Sequence, residues 1–265
     1  MARIITLLSD LGTRDGSVAR IKAAITQRMP HALVTDICHH VPRHDRRETG
    51  YLLADSCYSY PSGTIHVVLT GMFMDKENPP ALLLAMHGGH YFILPDNGIL
   101  SGMPSGFAPS DALLIARFSR PYSTDKWLQE AINAMEAIET GATDSFTPVA
   151  PYMLPPLPAP QVTPVGIACR ILRRDRYNNL VLNLRKEEFD QHTSGRPFRI
   201  RTFRSGLISA ISNHYSDVPL QSPLCRFNKL GFLEIAVNHG AATDLFGIDA
   251  TDAGALDYHT IRISY

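Results

Sequence analysis

Hydrophobic and polar positions divide the chain into short apolar runs, each stopped by a polar or glycine-containing break. Ile4 to Leu8 is apolar and partly β-branched with Thr6 inside it, the pattern of a strand buried on both faces. It stops at Ser9-Asp10, and Leu11-Gly12-Thr13-Arg14-Asp15-Gly16 is turn chemistry. Ser17 stands at the expected helix N-cap, and Val18, Ile21, Ala24 and Ile25 recur at helical spacing. Further strands are expected at 31–37, 64–69, 81–86, 91–94 and 113–118. Helices are expected at 47–58, with Leu52, Leu53 and Cys57 inward, and at 125–140, with Trp127, Leu128, Ala131, Met135 and Ile138 inward. This alternation, with polar residues at strand ends, predicts an α/β N-terminal domain whose mainly parallel sheet is flanked by helices.

The pattern then changes. Pro151, Pro155, Pro156, Pro158, Pro160 and Pro164 make a proline-rich stretch, read as a semi-rigid linker over 155–164 between domains at 1–154 and 165–265. Beyond it, short strand-like segments follow at 165–172, 180–184, 198–203, 207–211, 224–227, 232–237 and 260–264. Many short strands separated by turn residues predict an all-β C-terminal domain, a small barrel or sandwich.

Composition narrows the function classes. Hydrophobic residues are 45% and charged residues 19% of the 265, as in a globular protein. Lys+Arg and Asp+Glu are both 25, so no global field selects nucleic acid or a membrane surface. No apolar run approaches the roughly 18 residues of a membrane span. The N-terminal apolar run is too short for a signal peptide, and the four scattered cysteines read as reduced thiols in a cytosol. His39, His40 and His44 invite a metal, but their spacing fits no single helix face and Pro42 interrupts it, so no metal is expected.

The candidate chemistry sits where strands end. A strand closing in carboxylates and glycines before a helix is how open α/β sheets build ligand sites. The stretch Ser9-Asp10-Leu11-Gly12-Thr13, then Asp15, Ser17 and Lys22, resembles the opening of the S-adenosylmethionine hydroxide adenosyltransferases and of the fluorinase and chlorinase enzymes sharing their fold. The likeness continues at Val34-Thr35-Asp36-Ile37-Cys38-His39, at 61–68 and at Pro95-Asp96-Asn97-Gly98. In the second domain, Asp175-Arg176-Tyr177-Asn178-Asn179-Leu180 is similar to the family's Asp-Arg-Phe-Gly-Asn element, and Asn228 with 231–238 to its C-terminal signature.

The resemblance implies a homotrimer with S-adenosylmethionine as substrate and no cofactor, bound between one subunit's N-terminal domain and its neighbour's C-terminal domain. A nucleophile would displace methionine from ribose C5′. Asp10 would accept hydrogen bonds from both ribose hydroxyls, which suits a carboxylate. Ser17 would hold the methionine end, and Asn179 would read the adenine edge with an amide's donor and acceptor. Tyr177 and Tyr215 fall where the family packs aromatics on the purine, although ordinary barrel core is also open to them. Asn228 and Lys229 complete the expected binding set, the lysine replacing a serine that helps bind methionine's carboxylate.

The chain also departs from the family pattern. Hydrolase members carry Asp-Pro-Gly-Val-Gly and then an arginine after the third strand, and a histidine at a later helix entrance. Here Gly71 takes the carboxylate's place, Asn78 falls near the arginine's, and Ser123 takes the histidine's. Halogenating members have an aromatic residue near Gly71 and a small or hydroxyl residue near Ser123. Thr70, Gly71 and Ser123 are therefore the expected catalytic set, with Asp75 and His44 as replacement groups if their loops fold inward. Three readings stay open: a hydrolase forming adenosine, a binding protein of the same fold without catalysis, and a halide adenosyltransferase.

Overall fold

The computed structural model describes residues 2–73, 75, 77–156, 158–202, 206–249 and 259–265. Met74, Lys76 and the end of the 198–203 segment lie outside them. The chain divides into two compact units, Met1–Pro156 and Leu157–Tyr265.

The first unit runs β1 (Ile4–Ser9), α1 (Ser17–Arg28), β2 (Leu33–Cys38), α2 (Arg46–Cys57), β3 (Ile65–Leu69), β4 (Leu82–His87) and β5 (His90–Pro95). It continues α3 (Ile99–Gly102), β6 (Ala112–Ala116), α4 (Thr124–Thr140) and β7 (Thr147–Val149). Its seven strands lie in the order β2-β1-β3-β5-β4-β6-β7. The expectation of a mainly parallel sheet needs correction. β2, β1, β3 and β5 are parallel, whereas β4, β6 and β7 add antiparallel pairings. The cause is the Gly88-Gly89 break. Both glycines adopt positive φ (56° and 79°), and His87 pairs with His90 across a two-residue hairpin that cannot make a parallel crossover.

Strand alternation sorts the core into two faces. Ile5, Leu7, Ile65, Val67, Leu82, Leu84 and Ile93 pack with Ile21 and Ile25 of α1 and with Trp127, Ala131 and Met135 of α4. Thr6, Leu8, His66, Val68 and Phe92 alternate with them and are also buried. α2 packs against α3 at glycine distance, since a Cβ on Gly50 would lie 2.4 Å from the Gly102 carbonyl carbon. α1 starts with Gly16 as its N-cap, and Ser17 is its first residue rather than the cap.

The second unit contains β8 (Gln161–Thr163), β9 (Gly166–Arg174), β10 (Leu180–Arg185), α5 (Lys186–Thr193), β11 (Arg199–Arg201) and β12 (Leu207–Ile208). β13 (Pro223–Phe227), β14 (Phe232–Val237), α6 (Ala242–Leu245) and β15 (Thr260–Ser264) follow. The sheet order is β12-β11-β15-β9-β10-β14-β13, with β8 beside β9 and antiparallel pairing throughout. After β12 the chain returns to β13, where Ser212 N donates to Cys225 O at 2.8 Å, so the sheet nearly closes into a barrel. Two points differ from the sequence reading. α5 and α6 make the unit less than all-β, and the stretch read as linker ends in a strand, because Gln161-Val162-Thr163, free of proline between Pro160 and Pro164, pairs with β9. Among the described residues, no helix is long and apolar enough to cross a membrane.

Candidate functional site

The first cluster lies beyond the carboxyl ends of β1 and β3. Asp10 directly follows β1, and its Oδ2 accepts two backbone N–H groups, from His44 and from Gly71, each at 3.1 Å. Both donors sit in left-handed backbone, His44 at φ 60° and Gly71 at φ 68°, so two loops curl toward one oxygen. Glycine takes that conformation without a Cβ clash, and His44 adopts it beside a carboxylate, 3.8 Å from Nδ1 to Oδ2. With both Oδ2 lone pairs committed, Oδ1 remains as the acceptor for a ligand.

A relay running from buried Ser9 and His39 out to exposed Asp36 and partly exposed Lys22 supports this strand end. Ser9 Oγ and His39 Nδ1 are 2.7 Å apart, His39 Nε2 lies 3.0 Å from Asp36 Oδ1, and Lys22 Nζ lies 2.6 Å from Asp36 Oδ2. Burial pushes the Asp36 carboxyl up, but its bonds to Lys22 and His39 outweigh that and hold it below the usual range. Gly12 N donates to His39 O at 2.6 Å, tying the loop after Asp10 to the same histidine. His40 instead faces Thr13, with Nε2 3.0 Å from Oγ1, so the three neighbouring histidines point to different partners. No set of three or more His, Cys, Asp or Glu side chains is placed to hold a metal among the described residues.

The other expected residues of this unit have local partners, except that the buried Thr70 hydroxyl has none among the described residues. Thr70 is fully buried, and its carbonyl accepts from Asn97 Nδ2 at 3.0 Å. Ser17 Oγ accepts from Arg20 at 3.1 Å, while Ser17 N donates to Asp15 at 2.8 Å. The N–H and then the hydroxyl of Ser17 hold the Asp15 carboxyl below its ordinary value. Asp75 closes its own turn, accepting from the N–H of Glu77 (2.8 Å) and of Asn78 (2.9 Å). Met72 packs in the core, and Phe73 leans on Tyr122 with ring centres 5.2 Å apart.

Ser123 caps α4, its Oγ accepting from Lys126 N at 3.3 Å. Ser123→Ala is therefore expected to cost about 1 kcal/mol of stability, read as a lowered thermal midpoint, with ligand affinity kept. An unchanged midpoint would remove the cap from the account.

The second cluster lies in the barrel unit. Asp175 folds the Arg176–Asn179 turn onto itself: its Oδ1 accepts from Tyr177 N (2.8 Å) and Asn179 N (2.9 Å), and its Oδ2 from Asn179 Nδ2 (2.9 Å). Asn179 Nδ2 also reaches Tyr215 Oη at 3.4 Å, and Tyr215 donates to Glu234 at 2.9 Å. Burial, followed by the carboxylate of Glu234, pushes the Tyr215 phenol up to about 12, and burial raises Glu234 as well. Tyr177, Asn179 and Tyr215 border a cleft of about 680 Å³ with Asn238 and His239. Tyr177 is 75% exposed, its face open to that cleft rather than buried as barrel core.

Asn228 and Lys229 do not join this cluster. They lie in the turn before β14, whereas the cleft borders its far end, and six strand residues span roughly 20 Å. Asn228 Oδ1 accepts from Leu230 N (3.1 Å) and Phe232 N (3.0 Å), so this side chain shapes the turn. Glu234 and the Asp36–His39 pair were not singled out as site residues. A carboxylate inside the apolar run Phe232–Val237 is the signal that would have flagged the first.

Residues 5–138 match the family model of the SAM hydroxide adenosyltransferase N-terminal domain, and residues 169–253 that of the C-terminal domain. An (R)-S-adenosyl-L-methionine hydrolase from Thermus thermophilus is 26% identical over 93% of this chain and 96% of its own. A fluorinase from Nocardia brasiliensis is 34% identical over 37% of this chain and 40% of its own. The crystal structure of an uncharacterized conserved protein from Thermotoga maritima has the same fold, with a TM-score of 0.81 at 20% identity over 98% of this chain and all of that one. With a model match over half its length and the second model covering most of the rest, this chain belongs to the SAM hydroxide adenosyltransferase family.

Proposed function

We propose that the protein is an S-adenosyl-L-methionine hydrolase forming adenosine and methionine. The observation that carries this reading is Asp10, whose Oδ2 is clamped at the end of β1 by two N–H groups, which leaves Oδ1 to serve as the ribose-diol acceptor. A water oxygen bonds to ribose C5′ as the C5′–S bond breaks. The electron pair goes to sulfur, which leaves as the neutral thioether of methionine, and the water's proton passes to solvent. Nothing must protonate the leaving group. Orientation of water in line with C5′ supplies up to about 7–11 kcal/mol. A general base adds only about a hundred- to ten-thousandfold. The working form in this reading is a homotrimer, each site combining the Asp10 end of one copy with the Asn179 cleft of the next.

A second reading, ligand binding without turnover, has its own support. Gly71 contributes an N–H where hydrolases carry a carboxylate, and the Asp75 carboxylate is committed to its own turn. Incubation of the purified protein with S-adenosylmethionine, with and without chloride, separates the readings by nucleoside chromatography. Adenosine above the uncatalysed rate, unaffected by chloride, is expected. Calorimetric binding with no product would establish the second reading, and a 5′-chloro nucleoside would establish a halide transferase.

A further inference from the structure

The barrel unit carries its charge unevenly. β8, β9, β11, β12 and β15 hold Arg170, Arg173, Arg174, Arg199, Arg201 and Arg262 and no aspartate or glutamate. Alternation sorts these strands into two faces. Ile167, Cys169, Ile200, Ile261 and Ile263 pack in the core, so Arg170, Arg199, Arg201 and Arg262 lie on the outward face, and all four are exposed. Arg199 pairs with Ser264 and Ile200 with Ile263, so one step along the same antiparallel register Arg201 stands opposite Arg262. Arg262 pairs with Ala168 and Thr260 with Arg170, which puts Arg170 diagonal to Arg262 on the next strand. Side chains directly opposite start about 5 Å apart and diagonal ones about 7–8 Å, and like charges directly opposite destabilise a sheet. Among the described residues, none of the four guanidinium groups has an ion-pair or hydrogen-bond partner; Arg170 and Arg199 bond to side chains through main-chain atoms alone.

We propose that this face of β11, β15 and β9 docks duplex nucleic acid through its phosphates, without reading its bases. All four cations are arginines, and a guanidinium presents a planar fork of donors that matches a phosphate bidentately. Spread over three strands, they suit an anion that offers phosphates at several points, as a repeating backbone does. The other outward positions narrow the occupant. Ser264, Thr260 and Ala168 are small, so the arginines stand above the sheet. None is aromatic, which removes the platform on which single-stranded bases stack. A duplex keeps its bases inside and shows its backbone. Leu207, paired with Arg201, is the one large exposed hydrophobic at these outward positions, too little to seat the face in a lipid surface. The zero formal net charge of the whole chain does not oppose docking, because beyond a screening length of about 8 Å distant charges are largely hidden from a phosphate on the patch.

The test is fluorescence anisotropy of a labelled DNA duplex of about 20 base pairs, titrated with the full-length protein between about 50 and 200 mM NaCl. The logarithm of the affinity is expected to fall against the logarithm of salt with a slope of about −3.6, four phosphates at about 0.9 each. Two unrelated sequences are expected to bind within about twofold of each other. Arg201→Gln combined with Arg262→Gln is expected to bring the slope to about −1.8 without lowering the thermal midpoint, since both side chains are exposed. Arg201→Lys combined with Arg262→Lys keeps both charges and is expected to keep the slope while losing affinity a few-fold. A wild-type affinity that does not vary with salt, or a slope that the glutamine pair leaves alone, would overturn the proposal. Tighter binding of single-stranded DNA, of a poly-glutamate peptide or of phosphatidylserine vesicles than of the duplex would give the face to another partner and overturn it as well.

Discussion

Asp10→Ala is expected to weaken binding of S-adenosylmethionine by about a hundred- to ten-thousandfold. Two hydroxyls donating to a carboxylate contribute roughly 1.5–3 kcal/mol each, and every 1.4 kcal/mol is tenfold in affinity. Two consequences of the substitution need separating. The alanine removes the ligand's acceptor, and it also releases the N–H groups of His44 and Gly71, whose loops bend toward that one oxygen. Asp10→Asn tells them apart. Its amide oxygen can still accept both N–H groups, while an NH2 replaces Oδ1 toward the ligand and the negative charge is gone. The asparagine variant is expected to keep the wild-type thermal midpoint and to lose about tenfold or more in affinity, with alanine losing far more. Calorimetry and thermal melts on the three proteins provide both readouts. Wild-type affinity in Asp10→Ala would mean the ribose is held elsewhere.

The strand end that carries Asp10 is legible in the sequence because a buried apolar run closing in a carboxylate and glycines before a helix is how open α/β sheets place a ligand site, although a carboxylate there alone is ordinary turn chemistry. Its clamps are not legible. His44 and Gly71 lie 34 and 61 residues away, and the parallel pairing of β1 with β3 brings Gly71 beside Asp10. The same limit explains the mixed sheet. The segments 81–86 and 91–94 read as strands, but their direction depends on a hairpin turn whose meaning is local geometry at Gly88-Gly89. α5 escaped because only Phe189 and Thr193 of its eight residues are buried, too few to make a helical stripe. In the barrel, Tyr177, Asn179 and Tyr215 border one cleft, while Asn228 Oδ1 holds the turn before β14, a separation that depends on the course of the strands and not on any local pattern. Glu234 stayed hidden because all six residues of β14 are buried, so alternation gives no clue to which one faces a partner.

Acidification is expected to destabilise the first unit through a buried histidine pair away from the Asp10 cluster. Thr6, His66 and Phe92 are register partners on β1, β3 and β5. His66 Nδ1 lies 2.7 Å from Thr6 Oγ1, and Nε2 lies 3.1 Å from His90 Nδ1. Tyr60 and Phe92 flank His66, and the edge of Tyr58 meets His90, so among the described residues these rings meet aromatic neighbours rather than a compensating carboxylate. Burial, then the neighbouring His90, pushes His66 from 6.5 to about 3, and burial lowers His90 as well. A base whose folded value lies below its unfolded one is neutral in the native state while the unfolded chain takes up protons. The stability is therefore fully present above about pH 6.5 and is lost as pH falls toward 3. From His66 alone the loss is about 2–3 kcal/mol by pH 4.5. His66→Leu leaves Thr6 Oγ1 and His90 Nδ1 without their partner, so it is expected to cost about 2–4 kcal/mol at pH 7.5. Below pH 6.5, however, its stability is expected to fall less steeply than the wild type's, by up to about 1.4 kcal/mol per pH unit. Urea unfolding from pH 7.5 to 4.5 measures both slopes. Parallel curves would place the acid sensitivity in other groups, whereas convergence of the two proteins toward low pH is what a neutral, buried His66 requires.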